Sequence, residues 1–288
     1  MTIDYTSPFN TNLSKNVITK ELNLESILEI IDVEKEKLEK SSTNINYPVA
    51  IFRGEMELFS NPLLPKIFRE LKFYKNELSL IEEYGLKYKE PSFNILKLLS
   101  KMQHDNIPTR LLDWSKCPKI ALFFSCNNSH FSHGVIHVFV PNLSINNISP
   151  MKSFSINEIG LYLDSISCGI NEVNHIDFWN KKLIHIKNGG IVPWSIPIDE
   201  EHLDHENNNK RKVQKGVHTF HPGYLYTEFS TNLVKYRLMP KDIQNQYKIK
   251  EARENYITSI IIESNIKQTI LEELDNNYGI NKKTLLLE

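Results

Sequence analysis

The chain has 288 residues, of which 40% are hydrophobic and 24% charged, with a formal net charge of −1. That composition belongs to a globular chain and excludes wholesale disorder. The near-neutral charge leaves no electrostatic footprint for nucleic acid or an anionic membrane. Three cysteines, Cys117, Cys126 and Cys168, are too few for a disulfide framework and lack the CxxC spacing of a zinc site. No apolar run approaches the roughly 18 residues of a membrane span, and the opening MTIDYTSPFNTNLSK has no charged-then-apolar signal pattern. The expectation is a soluble cytoplasmic protein with no metal and no membrane partner.

Residues 1–20 are polar and turn-rich and read as a flexible arm. From Asn23, an N-cap, Leu24, Ile27, Leu28, Ile31 and Leu38 recur at helical spacing up to Lys40. Residues 47–52 read as a short buried strand ended by Arg53-Gly54-Glu55. Helices are expected over 63–84 and 93–102. The latter delivers the chain to Gln103–Ser125, a polar turn followed by an apolar helical run. A strand is expected at 135–140, with weaker signals for a helix at 156–166 and a strand at 183–186. Residues 195–210, with the acidic run DEEHLDHE, read as an exposed surface insertion. His202 and His205 within it lack the ordered setting of metal ligands. Residues 211–220 and 255–262 read as strands. Ser264 caps a last amphipathic helix that Gly279 stops. Helices and strands interleave irregularly, which argues for an α+β fold: one mixed domain over 21–288, with a central, twisted, partly antiparallel sheet flanked by helices.

The 103–125 stretch carries the densest chemistry. Pro108 forces extended backbone before it, Pro118 suits the first turn of a helix, and Ser115 is placed to cap that helix. A buried helix opening onto such a turn offers free N–H groups and a positive dipole to an anion. Arg110 adds a bidentate donor for phosphate or carboxylate. His104 and Asp113 are candidates for proton transfer or orientation. Gly54 allows close backbone approach beside Arg53. Each residue also has a structural reading: Arg110 paired with Asp113, Trp114 in the core with one hydrogen bond, Ser115 as a cap alone.

Phe52-Arg53-Gly54-Glu55, Gln103 to Ser115 with Pro118 to Ser125, and Arg211 to His218 together resemble, in order, the motifs of the FRG domain family. The departures are Asn106 for a glycine, Ser115 for a threonine, and a displaced aromatic at His218. The motif order is in turn similar to that of ADP-ribosyltransferases, with Arg53, Ser115 ahead of Ala121 and Phe124, the 135–140 strand, and Gln214 at matching positions. The resemblance implies NAD as the ligand and a bacterial toxin or phage-defence setting. Arg53 would hold the NAD phosphates or ribose, and Ser115 would support the nicotinamide side, with Trp114 or Phe52 stacked on it. Gln214 would act on the ribose. Phe52, Gly54, Glu55, Gln103, Thr109, Arg110 and Trp114 would line the ligand, with Arg53, His104, Asp113, Ser115 and Gln214 as the reacting set. Glutamine brings no charge, so Glu55 or an acid of the 199–206 loop would replace the missing carboxylate.

Three functions compete at this point. The first is an NAD-using, ADP-ribosyltransferase-like enzyme acting on a protein or nucleic-acid target. The second is a non-catalytic module binding a nucleotide or phosphate ligand. The third is a hydrolase or nuclease built on His104 and Asp113. An acidic residue in the pocket would favour the first.

Overall fold

The computed structural model describes residues 13–18, 22–41, 50–59, 62–88, 95–127, 131–140, 191–193, 196–197, 209–221, 223–228, 233–237, 242, 245, 250–252 and 257–287. The expected elements at 156–166 and 183–186, the 199–206 acidic run and Cys168 lie outside these residues.

Asn23 caps the first helix as expected: its Oδ1 accepts the Ser26 N–H at 2.9 Å, and helix α1 spans Leu24–Ser41. Leu24, Ile27, Ile31 and Leu38 form its buried stripe. Ahead of it, part of the expected arm is strand β1 (Leu13–Ile18). The chain then forms β2 (Ile51–Glu55), β3 (Leu111–Ser115), β4 (Gly134–Phe139), β5 (Ile191–Pro193), β6 (Ile196–Pro197) and β7 (Gly216–Phe220). It closes with β8 (Tyr224–Glu228), β9 (Leu233–Arg237), β10 (Lys250–Ala252) and β11 (Ile257–Ile262). Among the described residues, a seven-stranded sheet runs β1-β11-β4-β2-β3-β7-β6. Only β1 joins it in parallel; every other pair is antiparallel. The fold is mixed α+β around a largely antiparallel sheet.

Helix α5 (Pro118–Cys126) packs on one face of this sheet at unusually short range. A Cβ on Gly54 of β2 would sit 1.8 Å from the Ala121 carbonyl oxygen, and one on Gly134 of β4 would sit 2.2 Å from that of Ser125. Gly54 thus admits helix α5. The close approach expected for a ligand is made by the protein's own backbone. The main apolar core lies on this face, between α1, α5, the sheet and α7 (Lys267–Tyr278), with Phe52, Ile136, Val138, Ile260, Ile270 and Leu274 at its centre. Gly279 ends α7 in the left-handed conformation, φ 63°, as its position predicts.

The side chains one residue out of phase, Arg53, His137 and Ser259, stand in register across β2, β4 and β11 and so share the opposite face.

Three expectations give way. Residues 63–84 are not one helix but a short 3-10 turn (Lys66–Phe68), α2 (Leu71–Lys75) and α3 (Glu77–Tyr88), because Pro65 and Glu70 are extended. Helix α4 covers Ile95–His104. The last part of the polar turn before α5, Leu111–Ser115, is strand β3, since its backbone completes ladders with β2 and β7. Residues 211–220 are not one strand: α6 spans Asn209–Gln214 and β7 follows. Val213, Val217 and Phe220 are spaced i, i+4, i+7, which suits a helix as well as a strand. Lys215, at φ 47°, separates the two elements.

Candidate ligand-binding site

Strands β2 and β3 pair at one position only, Phe52 with Ser115. Beyond it the Arg53 side chain takes over, its Nη1 donating to the Asp113 carbonyl oxygen at 2.7 Å. A cavity of about 310 Å³ opens here, lined by Phe52, Arg53, Gly54, Asp113, Trp114, Ser115, Ala121, Phe124, Lys210, Gln214 and Leu287. A second lobe of about 160 Å³ shares Asp113, Trp114, Lys210 and Gln214 and adds Ser100, Gln103, His104, Gly216, Val217 and His218. Residues as far apart in the chain as Phe52 and Leu287 therefore meet at one split in the sheet.

Arg53 is held rigidly. Its Nε donates to Glu55 Oε1 at 3.1 Å. Glu55 is buried and also accepts the Leu63 N–H and faces His137 Nε2 at 3.2 Å. His137 Nδ1 meets Ser259 Oγ at 2.7 Å. Burial works against the Glu55 charge, but the His137 hydrogen bond and the nearby Arg53 outweigh it and pull its pKa down to about 2. Glu55 is an ionised anchor beneath Arg53, sealed from the cavity by its own partners.

Asp113 is the acid that the cavity exposes, with its side chain 56% accessible. Its Oδ1 lies 2.9 Å from His218 Nδ1, an electrostatic contact off the line of an aligned hydrogen bond. Its Oδ2 accepts from Gln103 Nε2 at 3.1 Å. Gln103 is fixed in turn by Thr109, whose hydroxyl donates to Gln103 Oε1 at 2.6 Å. Desolvation opposes the Asp113 charge, yet His218, Arg53 and Gln103 hold its pKa at about 2. His218 is itself anchored, with Nε2 3.1 Å from Ser100 Oγ.

The remaining candidates separate into those at the cavity and those away from it. Ser115 is not the N-cap of α5; Cys117 occupies that position without a side-chain cap bond. Ser115 Oγ instead accepts the Cys117 N–H at 3.0 Å and donates to the Gln214 carbonyl at 2.8 Å, tying β3 to α6. Gln214 reaches the cavity from a helix, and its side-chain amide donates to the Leu285 carbonyl at 2.9 Å. Trp114 is buried against Phe139, with Nε1 donating to Thr219 Oγ1 at 2.8 Å. His104 is exposed at the second lobe, 3.7 Å from Asp105. Thr109 is buried outside both lobes and serves Gln103.

Arg110 leaves the site altogether. It is fully buried, with Nε and Nη2 donating to the two Glu77 oxygens at 2.6 and 2.7 Å and Nη1 donating to the Gly223 carbonyl at 2.6 Å. Its partner is Glu77, not Asp113. No ligand contact remains for it. Sequence reasoning also missed Lys210 and His218 at the cavity, and no spacing signal marks either. Asn106, standing where the motif has glycine, takes φ 63° and so keeps the backbone shape glycine would supply.

The family profile of the FRG domain matches residues 49–133. This part of the chain is an FRG domain. The match runs from just before β2 to just before β4, so it brings in Arg53, Gln103 and Asp113, while Lys210, Gln214 and His218 reach the same cavity from outside it. Comparisons with curated proteins and with solved structures return no match. Among the described residues no helix is long and apolar enough to cross a membrane, and no cluster of histidine, cysteine and carboxylate could hold a metal ion.

Proposed function

We propose that the cavity of this FRG-domain protein binds a dinucleotide of the NAD class and that the protein transfers or releases its ADP-ribosyl group. The observation that carries this reading is a rigid arginine beside an exposed, ionised carboxylate, Arg53 with Asp113, in one cavity. Arg53, pinned through Nε and Nη1, and Lys210 supply positive charge suited to a diphosphate. Phe124, only partly buried, backed by the buried Phe52 and Trp114, supplies an apolar wall for a planar ring. When the glycosidic C–N bond breaks and its electron pair leaves with nicotinamide, positive charge develops on the ribose. A fixed carboxylate stabilises that charge without reorganising. Asp113 fills this role in place of Gln214, whose amide is committed to Leu285, and of Glu55, which is sealed below Arg53.

The test is nicotinamide release from NAD by the purified protein, with and without cell lysate. Wild type should release nicotinamide, Asp113→Asn should lose about 10²–10³-fold in kcat, and Arg53→Ala should lose NAD affinity. The binding-module reading has one observation in its favour: both Asp113 oxygens already have protein partners. Heat-stabilisation by NAD or ADP-ribose that Arg53→Ala abolishes, with no turnover in wild type, would establish that reading instead.

A further inference from the structure

We propose that His218, anchored by Ser100, is a positioning residue that holds the Asp113 carboxylate towards the cavity. In the β3–β7 ladder Asp113 and His218 are directly opposed, so the backbone register itself brings imidazole and carboxylate together. His218 Nδ1 lies 2.9 Å from Asp113 Oδ1 and its Nε2 3.1 Å from Ser100 Oγ. Ser100 and Gln103 sit about one turn apart on α4, so a single helix anchors the histidine and also binds the other carboxylate oxygen, Oδ2. Asp113 is thereby gripped from β7 on one side and α4 on the other.

Exposure decides which end of this chain of groups works. Ser100 and His218 are each only 8% accessible, whereas the Asp113 side chain is 56% accessible. A nucleophilic serine needs the reverse arrangement, with the hydroxyl open and the carboxylate buried. Ser100 is the closed end and Asp113 the open one. The same order of groups recurs below Arg53, where Ser259, His137 and Glu55 are all buried. There it supports the arginine; here it supports the acid. Arg53 from β2 and Gln103 from α4 also act on Asp113, while His104 from α4 and Lys210 from α6 line the same lobe.

The test reads Asp113 directly. Carboxylate ¹³C NMR of the full chain, with the signal assigned by its loss in Asp113→Asn, gives the Asp113 titration midpoint in wild type, Ser100→Ala and His218→Leu. The midpoint should rise by about one pH unit or more in His218→Leu, and by less in Ser100→Ala. An unchanged midpoint in a folded His218→Leu protein would overturn the proposal. Should that variant not fold, an unchanged midpoint in Ser100→Ala overturns it as well. The catalytic consequence rests on the dinucleotide reading: kcat for nicotinamide release should fall about tenfold in His218→Leu with KM little changed. A wild-type protein inert towards NAD would remove that consequence and the dinucleotide reading, while the titration would still decide the positioning role.

Discussion

Arg110 was the residue in the 103–115 block best suited, by chemistry alone, to grip a phosphate. The folded chain uses it instead as a buried strut: both Glu77 oxygens, the Gly223 carbonyl and the faces of Phe68 and Tyr74 surround it. Removing one partner of such a pair leaves an uncompensated buried charge, which costs about 3–5 kcal/mol. Urea denaturation should show Arg110→Ala and Glu77→Ala each destabilised by that order, and nearly as much in combination as singly, because the two losses are one interaction. A strongly additive double variant would refute the strut. The contrast shows what was legible at this scale. Arg53, Gln103 and Asp113 could be picked out because their polarity interrupts apolar elements close to them in sequence. Glu77 lies 33 positions from Arg110 at the start of an unrelated helix, and no linear pattern joins them. Lys210 and His218 were missed for a similar reason: one sits in a run of asparagines and lysines that reads as solvated surface, the other acquires a role only through the β3–β7 register.

At the scale of elements, hydrophobic periodicity was readable wherever one element buries one stripe. Helix α1, strand β4, helix α5 and helix α7 all stand within a residue or two of the expected spans. It failed at β3, where residues read as part of a polar turn are extended because two neighbouring strands complete their ladder, and at α6–β7, where one spacing served two elements. Glycine shows the limit most clearly. Gly54 and Gly279 are both explicable from sequence as special backbone positions, yet they differ in kind. At Gly279 a Cβ meets nothing within 4 Å, so Gly279→Ala should cost only the left-handed backbone, about 1–2 kcal/mol. At Gly54 a Cβ meets the α5 backbone, which cannot swing aside as a side chain can. Overpacking usually costs about 1–3 kcal/mol, occasionally more, and Gly54→Ala should exceed that range because helix α5 must lift off β2. Denaturant midpoints for the two variants measure the difference directly. Equal losses would mean that α5 does not lie on β2 as described.

Across the whole molecule, Arg53 ties the site to acid stability, since its charge acts on Glu55, Asp113 and His221 alike. His221 is fully buried, and desolvation first, then Arg53 and Arg110, press its pKa down to about 3. Its neutral state is built in: Trp114 Nε1 donates to Thr219 Oγ1, which leaves the Thr219 hydroxyl proton for His221 Nε2 at 2.8 Å. A folded pKa below the unfolded one means that the unfolded chain takes up the proton first. The contribution of His221 is therefore complete above the unfolded histidine value of 6.5 and is lost as pH falls towards 3. Glu55, lowered from 4.5 to about 2, and Asp113, lowered from 3.8 to about 2, add further losses that begin below about pH 5. Unfolding free energy should accordingly be flat above pH 7. It should then fall by about 1.4 kcal/mol per pH unit below 6.5, where one group titrates, and more steeply below 5, where the two carboxylates join it. His221→Gln should be less stable than wild type at pH 7.5, having lost its packing, yet show no slope between pH 6.5 and 5. Urea titrations of the two proteins across pH 8 to 4 give both curves. A wild-type curve already flat from pH 7 to 5 would mean that burial and the neighbouring arginines do not hold His221 neutral.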